Sequence, residues 1–401
     1  MIRHTPFHER MAPLNTTGLY IHWAGYLAPV RFQSSEKFEY FAVRNAAGLI
    51  DTSPLFKYRI TGPDAERYLA RLLVRDVRAC GVGQAQYTVW CDDQGHVVED
   101  GVVFRISDDH FLLTAAEPNL AWFDDHRAGM RVLVEDVSDH YGSLAVQGPR
   151  SRALLASLDP AVAELRFFGH TEATIGGAQV RVSRTGYTGD LGYEVWVEAG
   201  DANRVFDAIA EAAVGKGVLP VGQSALLMLR IEAGLVLIGV DFASSRYAFT
   251  ASDRSTPSEM GFGWMLRDVP GTDRAFIGRD AIRRELAEGR SRWAMVGLVV
   301  DWEDWDRVFH AEGIIPPKDH TPVVGEMLLY DDGGERVGYT TSFMYSPVLQ
   351  RHIAMARVRP SHGAVGTTVG LEITVNHRYE TVAATVARPP LFNPQRKTAM
   401  P

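Results

Sequence analysis

The chain has 401 residues, enough for two or three domains of about 150 residues, and its 46% hydrophobic and 22% charged composition is that of an ordinary globular protein. Its 41 Lys and Arg against 49 Asp and Glu give a net charge of −8, with no long block of like charge, which argues against a nucleic-acid binder held through phosphates. Two cysteines, Cys80 and Cys91, exclude a disulfide framework or a cysteine-rich metal site. The amino terminus has no apolar run of signal-peptide length, and no apolar stretch nears the roughly 20 residues of a membrane span, so the expectation is a cytoplasmic protein.

In chain order, apolar periodicity predicts a helix from Ser35 to Ala47 with Gly48 as its cap, then a strand from Tyr58 that turns at Gly62-Pro63. A helix follows from Asp64 to about Leu73, then strands Gln84 to Trp90, Val97 to Ile106 and Phe111 to Thr114. Residues 52–141 are therefore expected to form one compact sheet with helices on it. From residue 143 the pattern is strand (Leu144 to Gln147), helix (Ser151 to Leu158), strands (Gln179 to Arg184, Tyr193 to Glu198) and two helices (Ala202 to Val214, Ser224 to Ala233), with Gly234 capping the second. Beyond about residue 290 strands dominate: Met295 to Val300, Met327 to Tyr330, Arg336 to Thr341, His352 to Arg357, Thr368 to Val375 and Thr381 to Ala387. The fold class read from this order is α+β with an all-β carboxyl-terminal module.

Two segments stand out chemically. Arg184 to Glu194 carries Gly186, Gly189 and Gly192 between two strands, a loop free of Cβ bulk that can lie against something flat. It is not a dinucleotide fingerprint, since GxGxxG is absent. Strand alternation puts Tyr193, Val195 and Val197 on one face and Glu194, Trp196 and Glu198 on the other. A carboxylate beside such a loop can accept two parallel N–H bonds from the amino-amide edge of a planar ring; a tight hairpin with a surface glutamate is the plainer reading, and spacing alone favours it. In Val97-Val98-Glu99-Asp100-Gly101-Val102 two acids interrupt an apolar strand, and neighbours on a strand face opposite ways, so one at most looks into a pocket. A carboxylate among valines is a functional candidate, a strand end the alternative. Arg230 and Glu232, on an apolar helix, read as structural ion-pair partners. No HExxH or two-His-one-carboxylate spacing supports a metal, and no GxSxG a serine hydrolase.

The same residues carry a resemblance. Arg184-Thr185-Gly186-Tyr187-Thr188-Gly189-Asp190-Leu191-Gly192-Tyr193-Glu194 resembles the signature loop of the aminomethyltransferase, or glycine cleavage T-protein, family of tetrahydrofolate-dependent enzymes. Further matches run along nearly the whole chain: Thr5-Pro6-Phe7-His8, Ala42 to Asp51, Ser143 to Pro149, Leu229 to Leu235, Phe276-Ile277-Gly278-Arg279, and Thr341-Ser342 with Ser346-Pro347. The resemblance implies a three-domain cloverleaf around a central folate site. Its divisions here are residues 1–51 with 142–255 as a discontinuous folate-binding domain, 52–141 as a second domain, and 256–401 as a β-barrel-like third. It also implies that Asp100 is the catalytic acid near folate N5, that Glu194 holds the pterin edge, and that Tyr187 and Trp264 wall the ring.

Departures qualify what the resemblance implies. The family's ARD triplet is replaced by Ala225-Leu226-Leu227, and its DVSH turn reads Asp51-Thr52-Ser53-Pro54. The expected function is therefore a tetrahydrofolate-dependent one-carbon transferase, moving a methyl, methylene or aminomethyl group between a small-molecule donor and N5: a demethylase or an aminomethyltransferase. The alternatives are the glycine cleavage T-protein reaction on an aminomethyl-lipoyl carrier, or a non-catalytic folate-binding protein. The expected partners are tetrahydrofolate and a small donor, with neither nucleic acid nor membrane; a lipoyl carrier is less favoured because the −8 charge offers no basic excess for an acidic carrier.

Overall fold

Three sheets and one two-stranded hairpin organise the computed structural model, which describes residues 2–400. The first sheet has the order His170–Ile175, Ala178–Ser183, Gly192–Glu198, Tyr141–Gln147, Ala47–Asp51, Val218–Pro220, antiparallel except for the last pair. The chain leaves this sheet after Asp51 and rejoins it at Tyr141. Between those points it builds the second, five-stranded sheet, ordered Ala85–Cys91, Val97–Arg105, His110–Ala115, Phe56–Thr61, Leu133–Asp136. The third sheet spans Ala294–Val300 to Arg378–Ala387, and the extra pairing of Arg336–Ser346 with Arg351–Val358 closes it into a barrel. No helix is long and apolar enough to cross a membrane among the described residues.

The helix Gln223–Ala233 ties these layers together. Its Leu226, Met228 and Leu229 share one buried cluster with Tyr40 and Val43 of the helix Glu36–Asn45, Val89 and Val97 of the second sheet, and Met344, Ile353 and Met355 of the barrel. Each such fully buried side chain contributes about 1.5–3 kcal/mol relative to exposure, so this cluster holds the three layers together. The polar residues on the helix are paired. Arg230 donates to Asp241 at 2.7 Å and to Ser342, with both charged groups fully buried. Glu232 accepts from Arg44, Tyr40 and Ser346, and Gly234 ends the helix in the left-handed conformation. Both residues are thus ion-paired, as their sequence setting suggests.

The structure adds elements that the sequence expectation lacks, among them the strands Ala47–Asp51, Leu133–Asp136, His170–Ile175 and Val218–Pro220, and differs in its helices as well. The first long helix stops at Asn45, and Gly48 lies inside the strand Ala47–Asp51 instead of capping a helix; a Cβ there would come within 2.5 Å of Val43 and 2.6 Å of Val221, so the glycine admits close passage of helix and strand. The helix Arg279–Glu288 buries only Ile282, too little to leave an apolar stripe. The helix Trp302–Ala311 buries Trp305, Val308 and Phe309 against the barrel and starts at Asp301, whose side chain accepts from the Asp304 amide. After the barrel, the carboxyl-terminal segment returns to the first sheet. The buried Arg184 donates to the carbonyls of Arg396, Lys397 and Ala399 at 2.8–3.3 Å, and Arg396 pairs with Asp190 at 2.6 Å.

Candidate active site

The two acids of the second sheet occupy different surroundings. Glu99 is fully buried; its carboxylate accepts the amides of Asp100 and Glu117, each at 3.1 Å. Asp100 is half-buried; it accepts the Tyr87 hydroxyl at 2.8 Å through Oδ2, and its carboxyl lies within hydrogen-bond reach of the Glu99 carboxyl beside it. Neither acid has a basic partner within 4 Å among the described residues. Burial pushes both carboxyls up, and the neighbouring Asp100 pushes Glu99 further. The pair therefore holds a proton more tightly than free carboxylates do, with Glu99 the better-shielded holder. Tyr87, unmarked by the sequence reading, comes from the partner strand, where Val89 faces Asp100 in register; counting back from the Asp92–Gly95 turn would have exposed it.

The glycine loop supplies the opposite wall. Tyr187 is half-buried and donates to the Val236 carbonyl. Its phenol is raised by burial and lies within electrostatic reach of Arg230, Asp241 and Asp100. Tyr87 in turn feels both Asp100 and Tyr187, and packs edge-on to Phe262 at 5.6 Å, so Asp100, Tyr87 and Tyr187 converge. What the glycines lie against is the buried side chain of Gln147: a Cβ on Gly186 or Gly192 would approach its Oε1 to 2.0 or 2.2 Å. Gln147 Nε2 donates to the carbonyls of Thr185 and Tyr193, and its Oε1 accepts the Thr188 hydroxyl at 2.8 Å, so one amide sets the shape of the loop.

Glu194 sits on the strand leaving that loop. Its Oε2 accepts the Thr185 hydroxyl and its Oε1 accepts no hydrogen bond among the described residues. Burial pushes its carboxyl up, opposed by Thr185 and by the charge of Lys57. Lys57 is itself fully buried, its ammonium donating to the carbonyls of Ser53 and Leu55 at 2.8 and 2.7 Å, and burial pulls it down to about 8. Trp196, on the same strand face as Glu194, packs against Phe104 at 5.3 Å, so this face looks into the protein toward the second sheet. Trp264 lies further out: its ring is 44% exposed, with the Arg75 guanidinium 5.4 Å from its centroid. The hairpin around His22 to Tyr26 borders a separate cavity of about 230 Å³ lined by Arg3, Thr5, Tyr26, Ser53 and Asp139, which does not include Asp100 or Tyr187.

Residues 8–267 match the model of the GCVT N-terminal domain, and residues 295–393 that of the glycine cleavage T-protein C-terminal barrel domain. The chain belongs to the glycine cleavage T-protein family. The Streptomyces avermitilis aminomethyltransferase is 35% identical over 95% of this chain and 96% of that protein, and the Bacillus subtilis aminomethyltransferase 32% identical over 98% and 99%. The trimethylamine-oxide aldolase of Ruegeria pomeroyi is 35% identical over 99% of this chain, which spans only 48% of that larger protein. The solved aminomethyltransferase T of the Bartonella henselae glycine cleavage system shares the fold over 98% of this chain, with a TM-score of 0.82 at 24% identity. The chain is accordingly an enzyme, a one-carbon transferase of a family that uses tetrahydrofolate, with the α+β fold and carboxyl-terminal barrel of that family.

Proposed function

We propose that this enzyme transfers a methyl, methylene or aminomethyl group between a small-molecule donor and N5 of tetrahydrofolate, with Asp100 as its catalytic acid-base group. The observation that carries the reading is Asp100 itself: a half-buried carboxyl without a basic partner among the described residues, fixed by the Tyr87 hydroxyl and flanked by the Glu99 carboxyl within hydrogen-bond reach. Tetrahydrofolate supplies the nitrogen that gains or loses the carbon. As the N5–carbon bond forms, the bond from that carbon to the donor's heteroatom breaks and its electron pair leaves with the heteroatom; Asp100 accepts the proton that N5 gives up and returns it when the reaction runs in reverse. Glu194 fits the pterin through the free Oε1, which accepts from the amino-amide edge while Thr185 holds Oε2 in place. Tyr187 walls the ring, fixed by its bond to the Val236 carbonyl, and the more exposed Trp264 borders its outer edge.

Two observations bear on the donor. Leu226, buried in the central apolar cluster, and Leu227, half-buried, stand where the family's usual triplet carries its two charges, so the helix presents none there. A pocket poorer in charge suits a free donor. The named activity of the Ruegeria relative, an aldolase of trimethylamine oxide, supports an N-methylated one. An aminomethyl group delivered by a lipoyl carrier is the second reading, favoured by the full-length aminomethyltransferase relatives. Turnover of both donor types by wild type and Asp100→Asn tests the assignment: the variant should lose about 100- to 10,000-fold in kcat while still binding tetrahydrofolate. Equal turnover by the two proteins would remove Asp100 from the mechanism.

A further inference from the structure

Beside the acid that lacks a base stands a base that lacks an acid. Arg75 leaves the helix Ala65–Leu72 at the edge of the second sheet, its amide donating to the Thr88 hydroxyl at 3.3 Å. Its half-buried guanidinium makes one long hydrogen bond, 3.4 Å to the Tyr87 carbonyl, and has no carboxylate within 4 Å among the described residues. The adjacent Asp76 is engaged elsewhere, by Arg78 at 2.7 Å and Arg274 at 3.8 Å. The Arg75 Nε and Nη2 have no hydrogen-bond partner among the described residues and are not shut off from solvent, so they are open to a ligand. Its guanidinium carbon lies 5.4 Å from the centroid of the half-exposed Trp264 ring, beside the strand Ala85–Cys91 whose Tyr87 bonds Asp100.

We propose that Arg75, backed by Trp264, is a carboxylate-binding subsite on the rim of the folate site. A planar guanidinium with its fork of N–H groups free is suited to bidentate capture of a carboxylate, and an indole behind it fixes the fork's plane. The subsite rests on the reading of the Asp100 cavity as the folate site. Such a carboxylate has two sources: the glutamate tail of tetrahydrofolate, or a donor that is itself a carboxylic acid, such as an N-methylated amino acid.

Calorimetric titration of the full chain and of Arg75→Gln with three probes decides between them. Tetrahydrofolate carries pterin and carboxylates, 6-methyltetrahydropterin the pterin alone, and sarcosine, added to the folate-loaded protein, a carboxylate alone. Loss of about 10- to 100-fold in affinity for tetrahydrofolate, with 6-methyltetrahydropterin unchanged, assigns the subsite to the folate tail. The same loss confined to sarcosine assigns it to the donor. Arg75→Lys, which keeps the charge but not the fork, should recover part of either loss. Because the Arg75 side chain makes only one long bond to the protein, the variants should fold, and unchanged melting temperatures would verify it. If Arg75→Gln binds all three probes as wild type does, the subsite is wrong while the folate site stands. If wild type binds neither pterin, the folate reading falls, and sarcosine added to the protein alone then decides whether Arg75 holds a carboxylate.

Discussion

At the scale of single residues, the governing fact is that two adjacent carboxyls are buried to different depths without a counter-ion. Glu99 is the deeper, and its raised carboxyl means that it folds in the protonated form. The sign of the linkage follows: its stabilising contribution is complete below the unfolded value of about 4.3 and is lost as pH rises toward the folded value, by up to about 1.4 kcal/mol per pH unit. Glu99→Gln, which mimics the protonated acid, should flatten the fall in urea-unfolding free energy between pH 5 and pH 8; parallel wild-type and variant profiles would contradict the assignment. Much of this site is legible in the sequence, because two acids among valines and a glutamate after a glycine loop are local patterns. Arg75 and Lys57 are not, because their meaning depends on what is missing or present around them in space: an arginine at a helix exit and a lysine in a strand look like solvated charges until burial is known.

At the scale of elements, the glycine loop is a structure built around one amide. Gln147→Ala would leave two carbonyls and the Thr188 hydroxyl without their partner, at a cost of about 2–4 kcal/mol, read as a lower melting temperature. Gly192→Ala should destabilise wild type through the clash with Gln147 and do so much less in the Gln147→Ala background, so the double-mutant cycle should be strongly non-additive. Additive effects would mean that the glycine and the amide do not meet. The alternation read for the strand Gly192–Glu198 holds: Tyr193, Val195 and Val197 enter one core while Trp196 packs on Phe104. Alternation is a property of the strand alone, which is why it reads well. The end of the helix Glu36–Asn45 does not, because Gly48 answers to Val221, more than a hundred and fifty positions away.

At the scale of the whole molecule, the last segment of the described chain holds the loop that carries Tyr187. Removing residues 388–400 should lower the melting temperature and weaken tetrahydrofolate binding together, since Arg184 is left with the Leu165 carbonyl and Asp190 with Arg44, and the loop loses the segment's contacts at both ends. A truncated protein with unaltered folate affinity would show that the loop keeps its shape unaided. Arg184 and the carbonyls it binds are separated by 212 to 215 positions. During synthesis at about 5–20 residues per second, the loop therefore waits on the order of 10–40 s after it is made before its clasp exists. The barrel must emerge within that interval, so the pterin wall is among the last parts of the enzyme to be completed, and a nascent chain stalled before residue 390 should carry Glu194 and Tyr187 without a fixed place to hold them.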